Sequence, residues 1–288
     1  MPYKVIVISL LLWMMTGCTC GPGPDDPLVA ASRRGALQEV NGLLQLGGIV
    51  DRRNPAGETA LMAAARSGHT AVVNLLLEKG ADVNAKDDYD KTALEGAAGN
   101  GYIDIMRTLL TRGATVNTKD KDGRTPLMFA ALNGQVHTVE LLILSGADVE
   151  ARANDGKTAL MWGATNDRGE VIVPLLGRTT EIDARDNEGE TALMIAAWHG
   201  YTPVVKALLK KGADVNATTN ESAYYHPGHS TALMFAAAEG HTETVKVLLA
   251  NGANAGLNNK AGETALLLAQ RAGSKEIARI LSRARARE

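Results

Sequence analysis

A short apolar block headed by threonine recurs along most of the chain. Thr-Ala-Leu or Thr-Pro-Leu begins at Thr59, Thr92, Thr125, Thr158, Thr191, Thr231 and Thr264, at spacings of 33, 33, 33, 33, 40 and 33 residues. Each block predicts a short helix. The threonine hydroxyl suits the N-cap, Pro126 fits the first helical position, and Thr92-Ala-Leu-Glu95 forms a capping box. The first of these helices ends at Arg66-Ser67-Gly68, with glycine suited to the left-handed position that closes a helix. A second helix near Thr70 to Glu78 carries Val72, Val73, Leu75, Leu76 and Leu77, and Gly80 closes it. Ala81-Asp82-Val83-Asn84 then leads to a projecting turn. Gly35, Gly101, Gly134, Gly200, Gly240 and Gly273 keep step with Gly68, and a fixed period in this range predicts a solenoid.

The first twenty residues carry a different pattern. Lys4 precedes an unbroken apolar run from Val5 to Met15, too short to span a bilayer comfortably and suited to an export signal. Met15-Thr16-Gly17-Cys18 resembles the lipobox of bacterial lipoproteins, with Met15 in place of the usual leucine. The resemblance implies a signal peptide over 1–17, a lipid on Cys18 and a membrane anchor. Thr19, where an aspartate would favour inner-membrane retention, points to the outer membrane facing the periplasm. Simple cleavage nearby, releasing a soluble protein, is the other reading. Gly21-Pro22-Gly23-Pro24 makes residues 18–27 an extended tether.

Composition narrows the field. The chain has 288 residues, 45% hydrophobic and 22% charged, which is enough to fold. Aromatic residues make up only 4%, so the core is built from Ala, Leu and Val. A net charge of −2 argues against nucleic acid as a partner through bulk charge. Both cysteines lie in the N-terminal segment, which excludes a thiol nucleophile or a zinc–thiolate site from the repeats.

The unit Gly-x-Thr-Ala-Leu-Met-x-Ala-Ala-x-x-Gly-His followed by Val-Val-x-Leu-Leu-Leu-x-x-Gly-Ala-Asp-Val-Asn-Ala resembles the ankyrin repeat. The resemblance covers 28–288, with an N-terminal cap at 28–52, about seven repeats from 53 and a C-terminal cap. It implies an all-α solenoid of helix–turn–helix pairs with projecting β-hairpin or turn fingers. Where the family motif ends in histidine, this chain holds Met62, Glu95, Met128, Met161, Met194, Met234 and Leu267. Equivalent methionines on successive helices, roughly 8–10 Å apart, are too distant to share a metal, so the stripe reads as an apolar seam between repeats.

Other signals dissolve on inspection. Gly156-Lys157-Thr158 imitates the end of a P-loop, but Ala151 occupies the place of its first glycine. Asp120-Lys121-Asp122-Gly123 imitates a calcium loop, but Thr118 and Phe129 occupy its first and last ligand positions. No catalytic constellation is found, so no enzyme, cofactor or metal is expected. Arg279, Arg283, Arg285 and Arg287 end the last helix, either touching acidic lipid or solvating the cap.

Two irregularities stand out. Thirteen residues, Thr218 to Ser230, separate Ala217 from Thr231, where six separate Ala184 from Thr191. Seven residues are therefore inserted in one finger, in a stretch that includes Tyr224, Tyr225, His226 and His229. The unit at 152–184 places Asp167 and Thr179 at turn-glycine positions and Pro174 inside its second helix, where a regular helix loses about 3 kcal/mol. It is either a short, displaced helix, a hinge or a tolerated irregularity.

The ankyrin resemblance implies partner contacts at the finger tips and at the two positions before each helix-ending glycine. The candidates are Arg66, Tyr89, Leu132, Asn133, Trp198, His199, Tyr224 and Tyr225. Trp198 reads as an exposed anchor or as a ring folded over the inserted loop, whereas Trp162 shares register with Phe129, Ile195 and Phe235 and reads as core. The expected function is a monomeric, lipid-anchored scaffold in the bacterial envelope that binds a partner protein. Resemblance to exported bacterial ankyrin proteins suggests neutralising a toxic secreted enzyme or assisting an envelope enzyme such as a catalase. The alternative is a metal- or haem-handling periplasmic protein using the histidines of the inserted loop.

Overall fold

The computed structural model describes residues 25–165, 169–221 and 226–286. Sixteen helices occupy them and no strand does. They form eight consecutive pairs. The first is α1 (Pro27–Arg33) and α2 (Leu37–Gln45). Then follow α3 (Ala60–Ser67) with α4 (Thr70–Glu78), α5 (Ala93–Asn100) with α6 (Ile103–Thr111), and α7 (Pro126–Leu132) with α8 (Val136–Leu144). The irregular unit gives α9 (Ala159–Ala164) and α10 (Ile172–Leu176). The last three pairs are α11 (Ala192–Trp198) with α12 (Thr202–Lys210), α13 (Ala232–Ala238) with α14 (Thr242–Ala250), and α15 (Ala265–Arg271) with α16 (Lys275–Arg285).

The expected caps hold each pair. The hydroxyls of Thr59, Thr125, Thr158, Thr191, Thr231 and Thr264 accept from the amide three residues on. The methionine stripe has a second use beyond packing: the sulfurs of Met62 and Met128 accept from the Thr59 and Thr125 amides at 3.4 Å. Glu95 does the same with its carboxylate, accepting from the Thr92 amide. Gly200, with φ 71°, shows why the closing glycine is needed twice over: a Cβ would be strained there and would also overlap the ring of His241.

The odd-numbered helices line up in one row and the even-numbered helices in another. Neighbours in the odd row pack far more extensively. Buried alanines such as Ala60, Ala64, Ala97 and Ala130 let those backbones approach, while Val73, Leu76, Met106 and Leu109 keep the other row apart. The stack therefore curves, with the odd-numbered helices and the fingers on the concave side.

The same main-chain bond recurs in every finger, from Asn54 to Glu58 (3.0 Å) through Asn259 to Glu263 (3.0 Å). Successive fingers are also tied together. Lys121 donates to Tyr89, Asn154 to Asp122, Asn187 to Asp155 and Asn220 to Glu188, all main chain at 2.9–3.0 Å. The side-chain amides of Asn154, Asn187 and Asn220 add a parallel ladder. Under the fingers, Lys86, Lys119 and Arg152 each reach the carbonyl 33 residues ahead.

Pro174 is not where it does harm. Helix α10 begins only at Ile172, so the proline lies in the first turn, where its missing N–H would have had no helical acceptor. The expected cost of an interior proline does not apply. The core register survives, since Val171, Ile172, Leu175 and Leu176 are buried where Val72, Val73, Leu76 and Leu77 are. The price of the irregularity is length: five helical residues instead of nine. Asp167 lies outside the described residues.

Candidate functional site

The concave face carries two aromatic clusters. The first lies on the second and third finger-bearing units. Phe129, on α7, is half-buried, and the ends of Arg124 and Lys91 sit over its ring at 5.0 and 5.6 Å. Lys91 also lies 5.9 Å from the ring of Tyr89, which is 62% exposed at a finger tip. Asp120 and Asp122 hold the Arg124 guanidinium at 3.0 and 2.6 Å. The result is an aromatic surface edged by cations whose charged ends lie over the ring faces.

The second cluster is built around Trp198 at the end of α11. Its ring stacks on Phe235 (centroids 5.9 Å apart) and on His199 (6.1 Å), and it meets His226 edge-on at 4.3 Å. His226 also packs edge-on against Phe235 at 4.7 Å, and His199 stacks on Tyr201 at 5.2 Å. Trp198 is thus half-buried, and the expectation of an exposed side chain is corrected. The inserted segment supplies the cover through His226. From behind, the His241 Nε2 donates to the Trp198 carbonyl at 2.8 Å, as His69 does to the Arg33 carbonyl at 3.0 Å.

Electrostatics follow from this packing. Burial pushes the Glu190 carboxyl up to about 7, and the nearby Asp186 charge adds to the rise against the pull of Lys157. The His226 Nε2 stands 3.7 Å from Glu190 Oε1 without a hydrogen bond, and burial lowers the imidazole's affinity for a proton. The pair is therefore an apolar contact with latent polarity rather than a formed ion pair. Glu95 is the second such carboxyl. It is buried, accepts from the Thr118 hydroxyl at 3.2 Å, and is pushed up to about 7 by loss of solvation.

The remaining candidates divide between surface and structure. Arg66 is exposed, but its guanidinium holds Glu58 at 2.7 Å, and Glu58 is also held by Arg33 at 2.7 Å. Asn133 donates to the Gly99 carbonyl at 2.9 Å and ties α7 to α5. Leu132 is half-buried and His199 is exposed. Trp162 is only half-buried, not full core, because its row faces the groove, and its indole nitrogen has no hydrogen-bond partner. Cys18, Tyr224, Tyr225 and Arg287 lie outside the described residues.

The histidines of the inserted segment do not share a task. His229 takes the left-handed place that glycine holds in other fingers (φ 62°) and is exposed, while His226 faces Trp198 and Phe235. Among the described residues, no group of three or more His, Cys, Asp or Glu side chains converges on a common point. Asp120, from the calcium-loop imitation, accepts from the Asp122 and Arg124 amides of its own turn. Among the described residues no helix is long and apolar enough to cross a membrane.

Sequence reasoning did not single out Phe129, Lys91 or Tyr201 as surface groups, although Arg124 stood among the finger positions expected to meet a partner. A signal was present. One position on the odd-numbered helices runs Ala63, Gly96, Phe129, Trp162, Ile195, Phe235. A position facing only core holds its size; one facing a groove is free to vary.

A family model described as ankyrin repeats (three copies) matches residues 7–87, 28–120, 94–186, 127–219 and 221–287. Among curated proteins, none matches the chain.

Proposed function

The chain belongs to the ankyrin repeat family, and from that premise we propose a lipid-anchored scaffold of the bacterial envelope that grips a partner protein in its concave groove. Ankyrin repeats suggest a protein-binding scaffold in general. The observation that carries the reading for this chain is the pair of aromatic clusters. The side chains of Tyr89 and His199 stand exposed beside groups set by the repeats: Tyr89 shares Lys91 with the Phe129 ring, and His199 stacks on Trp198. Aromatic groups fixed in place on a groove lose little freedom when they bind, which makes them effective anchors.

The anchor rests on Met15-Thr16-Gly17-Cys18 and the apolar run before it. Acylated at Cys18, the repeats would face the periplasm from the outer membrane. The role proposed is binding, as ankyrin repeats suggest. Neutralising a toxic secreted enzyme and assisting an envelope enzyme such as a catalase both fit such a groove.

Pull-down from an envelope extract with the full chain tests the scaffold. A stoichiometric protein partner, weakened by Trp198→Ala or Tyr89→Ala, is expected. Bound metal or haem without a protein partner would overturn it. Cys18→Ser should release the protein from membranes or block its processing; a variant that fractionates and migrates like wild type would remove the anchor.

A further inference from the structure

The loop that closes the first helix pair differs from its counterparts. Leu46 and Ile49 flank Gly47-Gly48 and are 77% and 67% exposed. Counted by the repeat, the place of Leu46 holds only Lys, Arg, Ser or Asn in the later units, from Lys79 to Asn251. The place of Ile49 holds only Asp, Thr, Glu or Asn, from Asp82 to Asn254. Two positions that are polar in each of the next six units are apolar in this one.

This is not the raw end of the core left open. A terminal repeat needs a polar outer face, and one is present. Glu39 stands exposed where Val72 is buried one unit later. This place on the stacking face has thus been made polar while the loop has been made apolar. The loop is also ordered: Gly47 takes φ 90°, and Gly48 donates to the Leu43 carbonyl at 3.0 Å.

Its position gives the change a meaning. Arg52, three residues past Ile49, holds Asp26 at 3.1 Å. Asp26 caps α1 by accepting from the Leu28 amide at 2.9 Å. The apolar loop is therefore pinned beside the point where the chain arrives from Cys18. The seven residue steps from Cys18 to Asp25 reach at most about 25 Å. A lipid on Cys18 keeps this end of the solenoid within that distance of the bilayer.

We propose that the solenoid sits end-on on the lipid surface, with Leu46 and Ile49 placed at the boundary between headgroups and acyl chains. The occupant of the apolar loop is the bilayer that holds the Cys18 lipid. Apolar side chains at that depth add buried surface beside the lipid anchor and fix how the protein sits on it. Seating at this end would direct the later units and their groove away from the membrane. The proposal rests on the lipid-anchor reading.

The test uses the full acylated chain with Cys20→Ser and Ile49→Cys, labelled at residue 49 with an environment-sensitive fluorophore. It is reconstituted into phosphatidylethanolamine–phosphatidylglycerol vesicles containing a spin-labelled lipid quencher. A matched protein carries the label through Asp214→Cys, the same loop place five units away and past the irregular repeat. The residue-49 label should be quenched at least about twofold more than the residue-214 label, and adding Leu46→Asp should reduce the difference. Equal quenching in protein shown by mass spectrometry to be acylated at Cys18 would overturn the seating and leave the anchor standing. An unacylated Cys18 would overturn both. A concentration-dependent blue shift at residue 49 without vesicles, with dimers in sedimentation, would assign the loop to a second copy and overturn the proposal.

Discussion

The imidazole of His226 meets the indole of Trp198 edge to face, with ring centroids 4.3 Å apart at 83°. The two residues are 28 apart in sequence, and a seven-residue insertion brings them together. The contact makes Trp198 both a surface group and a packed one. Trp198→Ala should lower the unfolding free energy by about 2 kcal/mol, less than truncation of a fully buried tryptophan, while also weakening partner binding. A double-mutant cycle with His226→Ala, followed by urea unfolding, should return a coupling of about 0.5–1.5 kcal/mol. Strictly additive losses would show that the rings do not support one another.

Stability should fall as pH rises through neutrality. The Glu95 carboxyl is pushed up to about 7 by burial, from an ordinary 4.5. Its folded value lies above its unfolded value, so its contribution is fully present below 4.5 and is lost as pH rises through 7. Glu95→Met, which restores the residue of neighbouring units, should stabilise the protein at pH 8 by on the order of 3 kcal/mol, and by much less at pH 5. Glu190 is raised in the same way, so the variant keeps part of the slope. Urea midpoints at pH 5 and pH 8 check this; an unchanged pH difference in the variant would refute the assignment to Glu95.

Pro174 should matter little. Its place in the first turn of α10 predicts that Pro174→Ala changes stability by less than about 1 kcal/mol. Proline introduced by Leu209→Pro near the end of α12 should cost about 3 kcal/mol or more. A large change for Pro174→Ala would mean that the ring itself supports the unit.

The short helix should still be the least protected part of its row. With five residues against nine in α12, α10 has fewer main-chain bonds to break. Amide hydrogen exchange should be faster in Ile172–Leu176 than in Thr202–Lys210. Equal protection would show that the interfaces on both sides make up for the lost turns.

Gly200→Ala should cost more than about 2 kcal/mol, since it adds left-handed strain to overlap with the His241 ring. The combination with His241→Ala should cost less than the two single losses added, because removing the ring relieves the overlap. Thermal unfolding of the three variants decides; simple additivity would leave strain as the whole effect.

Caps, closing glycines and helix pairs were legible because each depends on residues within four or five places. Thr59 and its equivalents cap where the pattern puts them. The readings of Pro174, a short displaced helix among them, stayed open because the start of α10 is set by packing of Val171 and Ile172, not by the period. The two readings of Trp198, exposed or covered by the inserted loop, stayed open because the choice depends on where an insertion folds back, and no periodic signal encodes that. The contact between Glu95 and Thr118 left a trace that alignment of the units would catch. Each departs from the residue common at its place, methionine at one and alanine at the other, and the two departures meet at 3.2 Å.

The finger ladder has a consequence for the history of the insertion. Asn220 donates to Glu188 at 3.0 Å, and the ladder resumes where Lys260 donates to Gly228 at 2.7 Å. The seven extra residues, 221–227, are bracketed by two rungs that remain intact, and Gly228 lies so close to the Glu221 carbonyl that a Cβ there would overlap it. The segment leaves and re-enters the scaffold at nearly one point. Its length and composition can therefore drift without disturbing the register of either neighbour. It is a socket, in which selection can exchange one recognition element for another while the stack that presents it stays unchanged.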